Sequence, residues 1–418
     1  MTRAAVGLLV TTLVAVYIVS QFLRNSIAVI APDLTAELQM SAAEISLLAS
    51  SFFLTFALAQ IPLGLALDRW GARSCLLVCM GITVAGAVLF AVATSTAMLV
   101  IARTLLGIGS ASSLMAPLAL YAARFPPRRF ATLAGIQIGF GSLGTLLATA
   151  PLAWSTAAIG WRGSFAVLSA LAAAMLVAVF IVVRDEPARA TEARESLPAA
   201  LNGLWSVIRT PVALPIFLMH LTSYSSIALL IGLWGGPYLT HVYGYDLVAR
   251  GELLLVPAIG TVVGSLLWGM ADTLVGSRKI PVLAGAGGTV LGLGVLAAAG
   301  RLPAPLLWGW LALFGFVCAF TPVLIAHGQS LFPRRLNGRV ITLFNMGTMG
   351  GVFLSQTVSG MVIDSFPKTG EAYPVAAYQA AFGLQGCALL AASWLYWRRV
   401  PDKSAFSPPA VELDRASE

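Results

Sequence analysis

The chain has 418 residues, of which 58% are hydrophobic and 10% charged. A mean hydropathy of +0.88 excludes water as its main solvent, because too few polar side chains remain to cover a globular surface. A formal charge of +8 would suit a nucleic-acid binder, but the basic residues gather in alternate loops, as they do in membrane proteins, so no nucleic-acid partner is expected.

Apolar runs of about 20 residues match the helix length that crosses a hydrocarbon core of roughly 30 Å. Twelve such helices are predicted, at about 7–31, 43–66, 75–94, 98–122, 131–154, 163–183, 212–239, 251–271, 280–300, 305–331, 340–363 and 375–397. The runs are continuously apolar, whereas a barrel strand would alternate over about ten residues. The fold class is therefore an all-α, multi-pass membrane protein with the lipid bilayer as its surroundings. Arg3, Arg69, Arg73, Arg124, Arg128, Arg129, Arg184, Arg278, Lys279, Arg334, Arg335, Arg339, Arg398 and Arg399 fall on one side, and only Arg162, Arg250, Arg301 and Lys368 fall on the other. That asymmetry puts both termini in the cytoplasm, which requires an even number of crossings.

Arg3 before an apolar run imitates a secretory leader, but the run continues to Asp33 without a small-residue cleavage site. Cys75, Cys79, Cys318 and Cys387 lie inside apolar spans and read as buried small hydrophobes rather than a disulfide or metal set. Metal-ligand clusters, phosphate-binding loops and nucleophile triads are not found, so neither an enzyme nor a cofactor is expected. The glycine-rich run from Gly285 to Gly294 lies in an apolar span without the lysine that a phosphate loop needs.

Segments on either side of the centre repeat. Phe125, Pro126, Arg128 and Arg129 return as Phe332, Pro333, Arg334 and Arg335; Pro32 returns as Pro237, and Asp68 as Asp272. The expected organisation is a six-helix bundle over 1–184, a cytoplasmic linker over 185–210, a second six-helix bundle over 211–400 and a disordered tail over 401–418. Duplicated halves place a ligand site between them near the bilayer midplane. A short surface helix is expected in the linker near 201–208.

The string GLALDRWGAR holds Gly64, Asp68, Arg69, Gly71 and Arg73 in the loop after the second span. It resembles the loop signature of the major facilitator superfamily, G-x-x-x-D-R-x-G-x-R. Glycine permits a tight turn and close helix approach, and Asp and Arg can pair across an interface that opens and closes. The counterpart around Asp272 is degenerate. Arg103, Gly107 and Gly109 resemble a second pattern of the family, and GWRGSF at 160–165 a third. The resemblance covers about residues 5–400 and implies twelve helices in two pseudosymmetric bundles, transport by alternating access and a monomer. It also implies conformational roles for Gly64, Asp68, Arg69, Gly71, Arg73, Arg103 and Asp272.

Arg24 lies nine residues before Asp33, which places it roughly 13 Å inside the membrane boundary at 1.5 Å per residue. A central arginine costs about 2.5–3.5 kcal/mol on insertion scales and so faces a partner or a wet cavity. Tyr17, Gln21 and Arg24 share one helix face by their spacing. A guanidinium fork matches a carboxylate or phosphate, so the expected substrate is a small anion. The surrounding string, YIVSQFLRNSIAVIAPDL, resembles the first helix of organic anion and sugar phosphate permeases, which carry a substrate-binding arginine there. Phosphate-ester members use a second arginine in the seventh helix; here the repeat offset lands on Ala228 or Leu229. A single arginine favours a carboxylate.

Gln137 and Asn345 occupy matching repeat positions and are candidate ligand hydrogen bonders, with Tyr224 and Thr348. Both amides could instead bond between helices. The G-x-x-x-G pairs at Gly135 and Gly139, and at Gly347 and Gly351, read as close helix packing. No Asp or Glu lies mid-membrane to relay a proton, which leaves His220 as a possible coupling residue and an inner-gate role as its alternative; His327 reads as unremarkable. The expected function is uptake of a small organic anion by proton symport or anion exchange. A proton-coupled exporter of drugs or metabolites and a transporter-like membrane sensor remain alternatives.

Overall fold

A computed structural model describes residues 3–184, 205, 207–332, 337–368, 370 and 372–402, and among them every regular element is helical. The first half contains α1 (Arg3–Asn25), α2 (Ile27–Leu38), α3 (Ala42–Ala91), α4 (Thr96–Ser110), α5 (Ser112–Arg124), α6 (Pro127–Gly141), α7 (Leu143–Leu147) and α8 (Ala150–Val182). Then follow α9 (Ala213–Leu229), a π-turn (Leu230–Trp234), α10 (Gly235–Tyr243), α11 (Leu247–Val275), α12 (Lys279–Ala299) and α13 (Ala304–Val317). After a 3-10 turn come α14 (Thr321–Ser330), α15 (Asn337–Asp364) and α16 (Val375–Arg399). Ten stretches of the described residues are long and apolar enough to cross a membrane. Leu58, Phe180, Leu266, Leu274, Leu291 and Trp394 are among many large apolar side chains left exposed, as expected of a surface solvated by lipid.

Local chemistry sets the element ends. Ser41 accepts from the Glu44 N–H while Glu44 bonds back to the Ser41 N–H, a capping box that starts α3. Gly71 then turns the corner within α3 at φ 78° and ψ 167°, a region that only glycine occupies cheaply. Gly160 makes the same corner in α8, at φ 72° and ψ 166°. Gly64 has open space where a Cβ would stand, so within the GLALDRWGAR string the need for glycine sits at Gly71. Gly71→Ala is expected to destabilise by about 1–3 kcal/mol, and Gly64→Ala to leave the melting temperature nearly unchanged; thermal unfolding in detergent checks the pair.

The predicted spans need three corrections. The first, 7–31, is not one helix: it breaks at Ser26, whose Oγ turns back onto the Leu23 carbonyl, and resumes as α2. The fifth, 131–154, ends by Leu147, and residues 150–154 already belong to α8. The seventh is interrupted by the π-turn. The breaks at Ser26 and Leu230 lie 204 positions apart, the offset already visible between Asp68 and Asp272.

Glycines carry much of the helix packing. A Cβ on Gly107 would collide with Thr55 and the Phe52 carbonyl, and one on Gly109 with Thr83, so both seat α4 against α3. Gly141 receives the Tyr17 ring and Gly144 the Ile18 carbonyl, joining α6 and α7 to α1. Gly347 and Gly351 pack on α9 as expected, while Gly135 and Gly139 face open space, which overturns close packing there. Gly285, Gly288 and Gly292 seat α12 against Phe320, Val317 and Phe314. Cys75, Cys79 and Cys318 are buried, but Cys387 is exposed.

Residues 3–182 and 213–399 meet tightly at one end of the molecule. Pro32 has no N–H to bond the Ala28 carbonyl four residues earlier, and Gly236 of α10 packs directly on that oxygen. At the same end the Ala42 N–H is held by Asp364 and the Tyr373 hydroxyl, at 3.2 and 3.0 Å. Thr357 donates to Ser50 at 3.1 Å. A cavity of about 540 Å³ opens there beside Asp33, Thr240 and His241. Most of the linker lies outside the described residues, but Val207 is buried in the second half's core. Residues 403–418 lie outside them too. Pro401 and Asp402, placed in the tail by the sequence, are pinned instead: the buried His327 bonds Tyr396 and the Pro401 carbonyl, and Asp402 accepts from Ser277 and the Lys279 N–H.

Candidate functional site

Arg24 is 7% exposed, and no acidic side chain among the described residues pairs with it. Its guanidinium lies over the Phe56 ring, 4.9 Å from the centroid, a favourable stack for a cation. Its Nε is buried without a hydrogen-bond partner. Helical side chains point toward their own N-terminus, so the group reaches back along α1 toward Tyr17, with which it interacts electrostatically. Tyr17 also lies within electrostatic range of Tyr224 of α9. Tyr17, Arg24 and Tyr224 are therefore brought together, from both halves of the chain. Gln21 and Asn25 continue the same stretch; Asn25 donates to Thr145 at 3.2 Å, and the Gln21 Oε1 and Asn25 Oδ1 are buried without donors.

The other candidates divide. Asn345 on α15 is half-buried. Thr348 bonds the His220 Nδ1 at 3.2 Å, and the His220 ring stacks on Phe344 with 4.5 Å between centroids. His220 is fully buried and its Nε2 lacks a partner. Gln137 falls outside the group: Tyr121 donates to its Oε1 at 2.9 Å and its Nε2 donates to the Leu13 carbonyl at 3.0 Å. Both ends of that amide clamp helices together, which corrects its reading as a ligand bonder.

Arg103, fully buried, spends its guanidinium on three carbonyls. Nη1 donates to Leu23 at 2.6 Å, Nε to Leu48 at 3.4 Å and Nη2 to Ala49 at 3.3 Å, with Phe52 beneath it. It thereby satisfies the carbonyl freed where α1 breaks, one residue from Arg24. Arg73 bonds the Phe180 carbonyl at 3.1 Å and lies on the Phe180 ring, tying the Gly71 corner to α8, while Arg69 is exposed. The side chains of Asp68 and Asp272 lie outside the described residues.

Sequence reasoning missed Arg250. Arg250 counted only as a stray outer charge, yet it is 3% exposed and pairs with Asp33. Its Nε also donates to the Val29 carbonyl at 2.7 Å, and its Nη1 to Thr240 at 3.3 Å. A lone basic residue at a predicted span end, opposite an acid at another, was the available signal. Glu37 nearby accepts from Trp161 at 2.7 Å and pairs with Arg162; the Trp161 hydrogen bond first, and then Arg162, hold its carboxyl below the usual range.

The described residues form an all-helical, multi-pass membrane architecture that holds a buried guanidinium without an acid partner among them. The sequence profile of the Major Facilitator Superfamily matches residues 13–255 and 216–415, and the chain belongs to that family; it is a transporter and not an enzyme. It is 25% identical over 277 residues to a protein of Cupriavidus necator named "Probable sulfoacetate transporter SauU", covering 63% of this chain and 64% of that one. It is 24% identical over 393 residues to a "Putative tartrate transporter" of Agrobacterium vitis, covering 88% and 86%. Among solved structures, a bacterial homologue of the human lysosomal transporter Spinster, inward-facing and unoccupied, superposes with a TM-score of 0.79 at 18% identity, covering 98% and 100%. A D-xylose–proton symporter gives 0.77 at 15% identity, covering 95% and 98%.

Proposed function

We propose that this chain is a secondary active transporter that carries a small organic anion, a carboxylate rather than a phosphate ester, across the cytoplasmic membrane by alternating access. The observation that carries the reading is Arg24, a buried guanidinium with no acid partner among the described residues and an unsatisfied Nε. A charge held out of water requires a compensating group, and an anionic ligand supplies it. The relatives named for sulfoacetate and tartrate, both doubly charged acids, support a small organic anion; the single charge rests on Arg24 alone. In this reading the chain crosses the membrane twelve times, in two six-helix bundles with both termini cytoplasmic. The tight end around Ala28 and Gly236 is the outer face, closed, and the anion leaves inward. Uptake is driven by proton symport or anion exchange, with His220 the candidate for the proton.

Counterflow in proteoliposomes tests the substrate class. Vesicles preloaded with an unlabelled monocarboxylate should accumulate the labelled acid, and an organic-cation panel should give nothing. Accumulation of cations alone would replace this reading with the exporter; ligand binding without any flux would replace it with the sensor.

A further inference from the structure

The two breaks that lie 204 positions apart are served by different side chains. At the break of α1, the freed Leu23 carbonyl is taken by the cationic Arg103. At the π-turn, the Ala228 carbonyl is taken by a neutral amide, the Nε2 of Gln356 on α15, at 3.3 Å. Gly232 leaves room for that amide, since a Cβ there would stand 3.2 Å from Nε2. The same offset carries Arg24 onto Ala228, so Gln356 bonds the residue that mirrors Arg24 in the second half.

The orientation of this amide is fixed by chemistry. A carbonyl accepts only, so Nε2 must face Ala228, and Oε1 is then left buried with no donor while the residue is fully buried. Asn25 and Gln60 repeat the pattern, each donating to a backbone carbonyl and keeping an orphaned amide oxygen. Native interiors rarely leave acceptors unpaired. Gln356 also adjoins a residue that reaches the first half. Its neighbour Thr357 bonds Ser50 of α3, two positions from the Leu48 carbonyl that Arg103 holds together with that of Leu23. In addition, α1 touches the π-turn.

We propose that Gln356 determines specificity: its Oε1 accepts a hydroxyl hydrogen from a hydroxylated monocarboxylate whose carboxylate is held by Arg24. One unpaired guanidinium balances one negative charge, and the opposite half offers an acceptor where a second cation would be needed for a dianion. The inference rests on the anion reading above.

Glycerate and propionate share a carboxylate and differ in hydroxyls, so their affinities for the purified full chain, from thermal-shift titration, read the two groups separately. Wild-type protein should bind glycerate about tenfold more tightly than propionate, the effect of one buried hydrogen bond. Gln356→Leu should bring that ratio to near one with propionate affinity unchanged, and Gln356→Asn should restore part of it. Gln356→Met stands in if the leucine variant lacks a cooperative melt. A wild-type ratio retained in the leucine or methionine variant overturns the proposal, as does a wild type with no preference for glycerate. Arg24→Ala should lose both ligands; if it keeps both with the ratio intact, the Arg24 reading fails instead. Binding of neither acid by folded wild-type protein overturns both.

Discussion

Asp33→Ala should open the closed end of the transporter more than Arg250→Leu does. The Arg250 guanidinium is 4% exposed, while the Asp33 carboxylate is 35% exposed. Removing the acid strands a charge almost wholly out of water; removing the base strands one that water already reaches. Breaking a buried pair from one side costs about 3–5 kcal/mol, and the partial exposure of Asp33 places this case near the lower figure. A change of about 3 kcal/mol confined to the closed state shifts the closed-to-open ratio by roughly 100-fold. Arg250→Leu also loses the bonds to Val29 and Thr240; Thr240 lines the cavity and can be rewetted, whereas the buried Val29 carbonyl loses that donor, which narrows the gap between the two variants without closing it. With this end on the outer face, as proposed above, the rate at which a membrane-impermeant maleimide labels Thr35→Cys, with the four native cysteines replaced, reports its opening. Labelling should rise steeply in Asp33→Ala and less in Arg250→Leu; equal rates in all three proteins would show that this pair does not hold the end shut.

The second large effect belongs to Arg24. Arg24→Ala should lower the affinity for monocarboxylates by about 30-fold or more, because truncating one partner of a buried, hydrogen-bonded charge pair costs about 2–5 kcal/mol. Arg24→Lys should recover only part of it: an ammonium keeps the charge but loses the planar fork and the stack on Phe56. Both variants should fold, since no acid among the described residues depends on Arg24. Thermal-shift titration across the three proteins separates charge from geometry. Equal affinities for alanine and lysine would mean that the charge is not felt by the ligand.

What the sequence revealed follows the range of the forces involved. Span ends came within a few residues at most positions, because apolar length is a local property; the twelfth span, expected over 375–397, is α16, Val375–Arg399. The isolation of Arg24 was legible for the same reason, since only distant acids could have compensated it and the sequence placed none mid-membrane. Breaks were harder. Ser26 lies inside a stretch long enough for a single span, and the Leu23 carbonyl at its turn is held by Arg103, eighty residues beyond Leu23. Gln137 and Gln356 have the same functional groups, yet one has both ends occupied by other helices and the other keeps an open acceptor. Only the packed partners distinguish them. Arg250 looked like a minor exception to a charge count because Asp33, its partner, lies more than two hundred residues earlier.

The central claim is that a carboxylate sits on Arg24. A cryo-electron microscopy map of the protein saturated with a hydroxylated monocarboxylate measures this directly. Ligand density with its carboxylate within about 3 Å of the Arg24 nitrogens, between α1 and the π-turn, is the predicted result. Density bound elsewhere, with the guanidinium still stacked on Phe56 and bonded to no ligand atom, would contradict it.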